Sequence, residues 1–406
     1  MEAVNQGFLT TDGQPAEDPS AQARWSELLV AADEAIAGGR LAEARDLFKE
    51  SLRTAQETWP GDARLAESYV RLADVCAALD RGDVALRLYG QGVTVLGGLA
   101  DGVGAGLAHA VSNMGRLHML NGDMDKAGEL TAAGDALQRK LEEPNSPAIK
   151  LNLAIVAAAA QRDRDAGQAF EEAVAAADRS RARIGALGMA VLDNYARYCI
   201  GGGRSEEAQM ALRRCLILRQ EAGGPRNPVY AEGLVNLARL LQDCNGEEEA
   251  ETLLWQAVEV YRRNGDQPVA GLVSTTWLLA RIAQRSARTD EAETLCESLT
   301  VLGEANPPAA AAAEAAALHV RANLLLAGGD SASAESPMRR ALSLANSLSG
   351  EFRRLGDDIA GDLLYELAGL LAEIGKGAEA ERLTARAGDL RQRPQWKLTG
   401  FVFAPP

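Results

Sequence analysis

Four asparagines, Asn113, Asn152, Asn194 and Asn236, recur at steps of 39, 42 and 42 residues, and an arginine follows three of them by three positions, at Arg116, Arg197 and Arg239. Ile155 stands at the corresponding place after Asn152, and Arg281 continues the arginine column one step further. Residues three apart share one face of a helix, so these side chains form a polar stripe rather than a scatter. The chemistry available to it is recognition. An asparagine amide both donates and accepts, so a column of them can satisfy the backbone of an extended peptide without reading its side chains. Arginine adds a planar fork that fits carboxylates. A second use of the same column is to cross-link neighbouring helices. Four asparagines at one register ask for one of these uses, because each costs a few tenths of a kcal/mol against alanine inside a helix.

Chemistry of the bond-breaking kind has no such pattern. His109, His118 and His319 have no metal-ligand spacing to one another or to cysteine and read as surface or groove residues. The glycines of residues 102–106 follow no strand and fall between helices, which argues against a dinucleotide loop. No phosphate-binding loop, nucleophile elbow or zinc-protease motif is present in the sequence. Carboxylates gather instead at helix starts such as Glu247 to Glu249, where they complement the helix dipole. The sequence predicts a protein that is not an enzyme and takes no cofactor and no metal.

The elements that must position the stripe are helices. Apolar residues make up 47% of the 406 residues but aromatics only 4%, and alanine-rich runs such as Ala309 to Ala313 recur, a bias toward close helix packing. The formal charge of −15 opposes general attraction to nucleic acid or to anionic membranes, so neither is an expected partner. Cys76, Cys199, Cys215, Cys244 and Cys296 are odd in number and contain no C-x-x-C pair, which predicts core thiols in a reducing compartment. With no Lys or Arg in the first twenty residues and no apolar run of about 18, the expected location is cytoplasmic.

A small residue followed by Ala twelve positions later occurs nine times: Ala32/Ala44, Ala73/Ala85, Gly115/Ala127, Ala154/Ala166, Ala196/Ala208, Ala238/Ala250, Ala280/Ala292, Ala322/Ala334 and Ala368/Ala380. Their first members are spaced by 41, 42, 39, 42, 42, 42, 42 and 46 residues, a period of 42. Antiparallel helices approach closely only where neither carries bulk, so each pair predicts the crossing point of one helical hairpin. Larger residues four before the first member (Leu28, Tyr69, Val111, Leu192, Leu234, Leu318, Leu364) and three after the second (Leu47, Leu88, Leu130, Leu253, Leu295, Leu383) are expected on buried faces. Turns rich in glycine or polar residues separate the two helices at Gly38-Gly39, Arg81-Gly82, Asn121-Gly122-Asp123, Gly201 to Gly203, Asn245-Gly246, Gly328-Gly329 and Gly375. The fold class is therefore all-α: a right-handed α-solenoid of about nine tetratricopeptide-like hairpins.

The segment Val235-Asn236-Leu237-Ala238, with Gly246, Glu249-Ala250-Glu251 and Leu253-Leu254, resembles the tetratricopeptide repeat as found in kinesin light chains, over roughly residues 21–390. The narrower likeness is to the bacterial kinesin light chains that accompany tubulin-like filament proteins. The resemblance implies that the first helix of each hairpin lines a concave groove and that Asn113, Arg116, Asn152, Asn194, Arg197, Asn236, Arg239 and Arg281 look into it. By the same register Trp277 would supply an aromatic shelf and Gln284 a further polar contact. The partner implied is a protein, offering an extended acidic segment, with a tubulin-like filament as its specific version.

The expected organisation is a lead-in over residues 1–20, a solenoid over 21–393 and an aromatic tail over 394–406. The tail, with Trp396, Phe401 and Phe403, either caps the last hairpin or docks on another molecule; Trp25 is expected in the core. Pro337 predicts a distorted eighth hairpin, because it removes a helical hydrogen bond. Three functions fit: a protein-binding adaptor, a regulator that senses a small peptide or metabolite, and a self-assembling structural protein.

Overall fold

One residue in the turn inside each of the second to ninth hairpins adopts a left-handed backbone, and these residues mark the repeat from Asp80 to Gly375. They are Asp80, Gly122, Gln161, Gly203, Asn245, Ala287, Gly329 and Gly375, all with φ between 57° and 83°. Each lies seven residues after the first small residue of its hairpin. Only four are glycine, the residue that pays no steric penalty there. Asp80 rather than Gly82 turns the second hairpin; Gly82 begins the following helix. Asn245 rather than Gly246 turns the sixth.

The structure is a computed structural model and describes residues 18–37, 40–99, 104–141, 146–179, 185–264 and 269–392. The expected turn at Gly38-Gly39, residues 1–17 of the expected lead-in and the 394–406 tail lie outside the described residues; the last residues of the expected lead-in, from Pro19, already belong to the first helix. Among the described residues every regular element is helical. They fall into two compact units that divide between Tyr198 and Cys199.

The first unit holds α1 (Pro19–Ala37), α2 (Leu41–Thr58), α3 (Ala63–Ala78), α4 (Gly82–Gly98), α5 (Ala105–Leu120), α6 (Met124–Lys140), α7 (Pro147–Ala159), α8 (Asp163–Arg179) and most of α9 (Gly185–Gly201). The second holds α10 (Ser205–Gly223), α11 (Pro228–Asp243), α12 (Glu247–Arg263), α13 (Val269–Arg285), α14 (Thr289–Ala305), α15 (Ala310–Ala327), α16 (Ser331–Ser347), α17 (Arg353–Glu373) and α18 (Gly377–Gln392). Within each unit, helices pair as hairpins and each hairpin stacks on the next. Side-chain caps start several helices: Asp62, Asp123, Asn227 and Asp330 accept from backbone N–H groups of the first turn.

The paired alanines sit where the spacing predicts. Fifteen of them, from Ala32 through Ala334, are fully buried, and Ala368 and Ala380 nearly so. Gly115 is the tightest crossing: a Cβ there would come within 2.8 Å of Thr131 and 2.9 Å of the Ala127 carbonyl. Of the residues three after the second alanine, Leu295 is buried as expected, but the most deeply buried large residues stand one position later, four after that alanine. Phe48, Tyr89, Thr131, Phe170, Leu254, Cys296 and Met338 occupy that place and are completely buried. The +4 position lies over the crossing on the face turned toward the first helix. Leu47 and Leu88, at +3, are half-buried and pack on the edge of the same core. Trp25 is buried as expected, donating to the Ser68 hydroxyl and meeting Trp59 edge to face at 6.2 Å.

Pro337 does not interrupt its helix: α16 runs without a break from Ser331 to Ser347. It stands in the second helical turn, so only the bond to the Ser333 carbonyl is lost. The extra residues of the 46-residue step go elsewhere, into the 3-10 turn Gly350–Phe352 and an α17 of 21 residues, the longest helix described. Among the described residues no helix is long and apolar enough to cross a membrane.

Candidate protein-binding face

In the first unit the asparagine column is a buried cross-link between hairpins. Asn113 on α5 directs its Nδ2 at Asp74 Oδ1 on α3 and the Tyr89 hydroxyl on α4, each at 3.0 Å, and its Oδ1 accepts from Asn152 Nδ2 on α7 at 2.7 Å. Asn152 also donates to the Ser112 hydroxyl at 3.2 Å, and its Oδ1 accepts from Arg116 at 3.3 Å. Tyr89 donates to Asp74, and His109 Nε2 lies 3.3 Å from both Asp74 oxygens. The side chains of Asn113, Arg116 and Asn152 are at most 2% exposed. They meet neighbouring helices rather than an open groove, which is the second of the two uses the spacing allowed. Asn194 is equally buried and bonds back to the Ala190 carbonyl of its own helix at 2.8 Å. Arg197 on α9 is half-buried.

The electrostatics follow from that burial. Burial, reinforced by the Asp74 charge, pushes the Tyr89 phenol well above its ordinary range. Burial also pulls the Arg116 guanidinium down to about 10. A second buried cluster joins Lys150 on α7 to Asp135 at 2.8 Å and Glu172 at 2.6 Å. Burial alone would lower the Lys150 ammonium, but its hydrogen bonds to the two carboxylates raise it instead.

The second unit differs: its arginines are paired with carboxylates across the side on which the first helices of hairpins six to nine face one another. Arg239 on α11 bonds Asp358 on α17 and the Ser274 hydroxyl at 2.8 Å. Arg281 on α13 bonds Asp362 and approaches Glu366 at 3.8 Å, both on α17. Glu366 also takes His319 Nε2 of α15 at 2.7 Å, and Arg354 donates to Asn236 Oδ1 at 3.2 Å. These side chains keep some access to water: Arg239 is 20% and Arg281 15% exposed.

Trp277 is no shelf. It is 1% exposed, with its Nε1 3.3 Å from His319 Nδ1 and the Arg281 guanidinium 5.2 Å above its ring. Gln284 is half-buried on the same helix. His109 and His319 are buried, which corrects their placement on the surface or in a groove; each is drawn inward by a carboxylate, Asp74 or Glu366. Four of the five cysteines are buried and Cys244 is half-buried. Burial pushes the Cys296 thiol up to about 12, which keeps it unreactive. Among the described residues no cluster of His, Cys, Asp and Glu could hold a metal ion.

The fold and this internal geometry define an all-helical array of tetratricopeptide-like hairpins. Residues 188–263 match the tetratricopeptide repeat family model. No curated protein matches the chain. Among solved structures, the quorum sensor NprR from B. thuringiensis is 13% identical with a TM-score of 0.59, covering 92% of this chain and 99% of its own. A Rap protein complexed with competence and sporulation factor is 12% identical with a TM-score of 0.55, covering 93% of this chain and 99% of its own. BtubC (BKLC) from P. vanneervenii is 20% identical with a TM-score of 0.44, covering 62% of this chain and 95% of its own.

Proposed function

We propose that this chain is a non-enzymatic scaffold that holds an acidic segment of a partner protein against α11, α13 and α15, with tubulin-like filaments as the specific partner to test first. The observation that carries this reading is the pairing of Arg239 and Arg281 with carboxylates presented by another helix. The same forks, at the same separation, suit carboxylates brought by a different polypeptide. Their partial exposure favours exchange, unlike the sealed polar network around Asn113. The wider asparagine and arginine column, with Gln284, belongs to this proposal as its supporting frame. No metal-binding cluster competes with this reading among the described residues, and tetratricopeptide repeat proteins hold protein or peptide partners.

A second reading, a regulator answering to a small peptide, is favoured by one feature. The bond between Arg239 and Asp358 joins residues 119 positions apart, so an occupant that breaks it alters the spacing of hairpins. Two structures of similar fold, the quorum sensor NprR and the Rap protein complexed with competence and sporulation factor, support this reading by likeness alone.

Co-sedimentation separates the two. The filament-binding scaffold saturates along polymerised tubulin-like protein at a fixed ratio, and Arg239→Glu with Arg281→Glu abolishes it while the chain stays helical. Equal sedimentation of both chains, or of neither, removes the filament version. A compaction on adding peptides alone favours the regulator.

A further inference from the structure

Helix α17 departs from the other first helices in length and in charge. Its additional turn begins at Arg353, and from there Arg354, Asp358, Asp362 and Glu366 recur every four residues. Steps of four keep side chains along one slowly inclined stripe of a helix. This stripe meets Asn236, Arg239, Arg281 and His319, which belong to three other helices, α11, α13 and α15. The neighbouring stripe of α17, one residue on and about 100° round the helix, carries Leu355, Ile359, Leu363 and Leu367, all buried in hairpin packing. The helix is thus anchored by its apolar side and reaches across with its charged one.

The exposure of the pairs decides what this contact can do. Asp358 is 18%, Asp362 27% and Glu366 26% exposed, so water and competing ions reach the pairs. Part-buried ion pairs that water still reaches hold their elements together and yet exchange with competing ions, whereas a fully sealed pair would not. A helix held in place by its leucines can therefore lose its ionic contacts without unfolding.

We infer that this ladder is an ionic clasp. In it α17 acts as an internal ligand of Arg239 and Arg281, and the partner of this face is an acidic helix with carboxylates every four residues that exchanges with α17. The identity of the occupant rests on the protein-binding reading above; the clasp itself does not. The contact specifies a helical spacing, which an extended acidic strand does not reproduce, because alternate strand residues lie about 7 Å apart on one face against about 6 Å for i and i+4 on a helix, with a different inclination.

The test uses the full chain carrying Asp358→Asn, Asp362→Asn and Glu366→Gln, which keeps shape and removes the three charges. Two readouts are taken. Amide hydrogen exchange across residues 353–366 is expected to rise at least tenfold, with exchange in the first unit unchanged. A labelled synthetic peptide of residues 353–373 is expected to bind this variant at least tenfold more tightly than wild type, and a peptide with the three carboxylates amidated is expected not to bind. Unchanged exchange overturns the clasp. Raised exchange with equal binding of the two peptides overturns the acidic-helix occupant while leaving the protein-binding reading standing. Should the triple variant lose helicity, Arg239→Gln with Arg281→Gln replaces it: exchange in α17 must still rise and the acidic peptide must not bind, and any other result overturns the proposal.

Discussion

Replacing Asn113 by alanine tests whether the asparagine column is structural in the first unit. The side chain sits at the centre of a network in which its Nδ2 lies 3.0 Å from Asp74, Tyr89 and His109 and its Oδ1 accepts from Asn152 at 2.7 Å. Two amide hydrogens serve these acceptors, so the substitution removes about three hydrogen bonds, one of them to a buried carboxylate. Neutral bonds contribute about 1 kcal/mol each and one to a charged group about 1.5–3 kcal/mol. Alanine recovers roughly 0.5 kcal/mol of helix propensity. Asp74 retains Tyr89, and Asn152 retains Ser112, which limits the loss. The expected cost is about 3 kcal/mol. Urea unfolding followed by the fluorescence of Trp25 and Trp59, which lie in the same unit, reads it as a lowered midpoint. Asn236→Ala is the internal control, since Asn236 accepts a single bond from Arg354 at 3.2 Å and should cost about 1 kcal/mol or less. A loss below about 1 kcal/mol for Asn113→Ala, or an equal loss for the two variants, would refute the reasoning.

Three further outcomes follow from particular contacts. Ala287 holds φ of 57° in the seventh turn, and Ala287→Gly should raise stability by about 1 kcal/mol in a thermal or urea melt, where no gain would contradict the strain assigned to it. Lys150→Met takes the ammonium from Asp135 but leaves it paired with Arg139 at 2.5 Å, and should cost about 2 kcal/mol, with Asp135→Leu added to it recovering part of the loss; a double variant worse than the single one would count against the pairing. Burial raises the Glu366 carboxyl, but His319, Arg281 and Asn323 outweigh it and bring the group down from 4.5 to about 2. A depressed carboxyl stabilises the fold fully above its unfolded value and loses that contribution as pH falls through the folded one. Stability should therefore decline by about 3 kcal/mol between pH near 4.5 and pH near 2, and Glu366→Gln should flatten the decline; an unchanged pH profile in the variant sinks this assignment.

The repeat was legible because its cause is steric. A crossing between helices needs small residues, and nearly all the alanines that mark it are completely buried. The turns were less legible, because Asp80, Gln161, Asn245 and Ala287 adopt a backbone that sequence assigns to glycine, held there by the hairpins on either side. The deeper core column was missed for a related reason: leucines at +3 are conspicuous, while the fully buried +4 column mixes Phe48, Tyr89, Thr131 and Cys296. The polar stripe was visible by spacing, but its partners were not, since Asp74, Tyr89 and Asp358 come from other hairpins. Two signals were available. Asp74 stands at the register of Arg116 one hairpin earlier, and the four-residue ladder of Arg354, Asp358, Asp362 and Glu366 coincides with the 46-residue step.

Photo-crosslinking tests the central claim, that the face of α11, α13 and α15 holds a partner protein, most directly. A photoreactive phenylalanine analogue replaces Gln284, half-buried on α13, or in a parallel chain Trp255, which is 41% exposed on α12. Irradiation in cell extract should give an adduct from position 284 that maps to an acidic segment of one protein and disappears when Arg239→Glu and Arg281→Glu are added. Adducts from position 255 alone, or adducts from 284 that survive the charge reversal, would contradict the account.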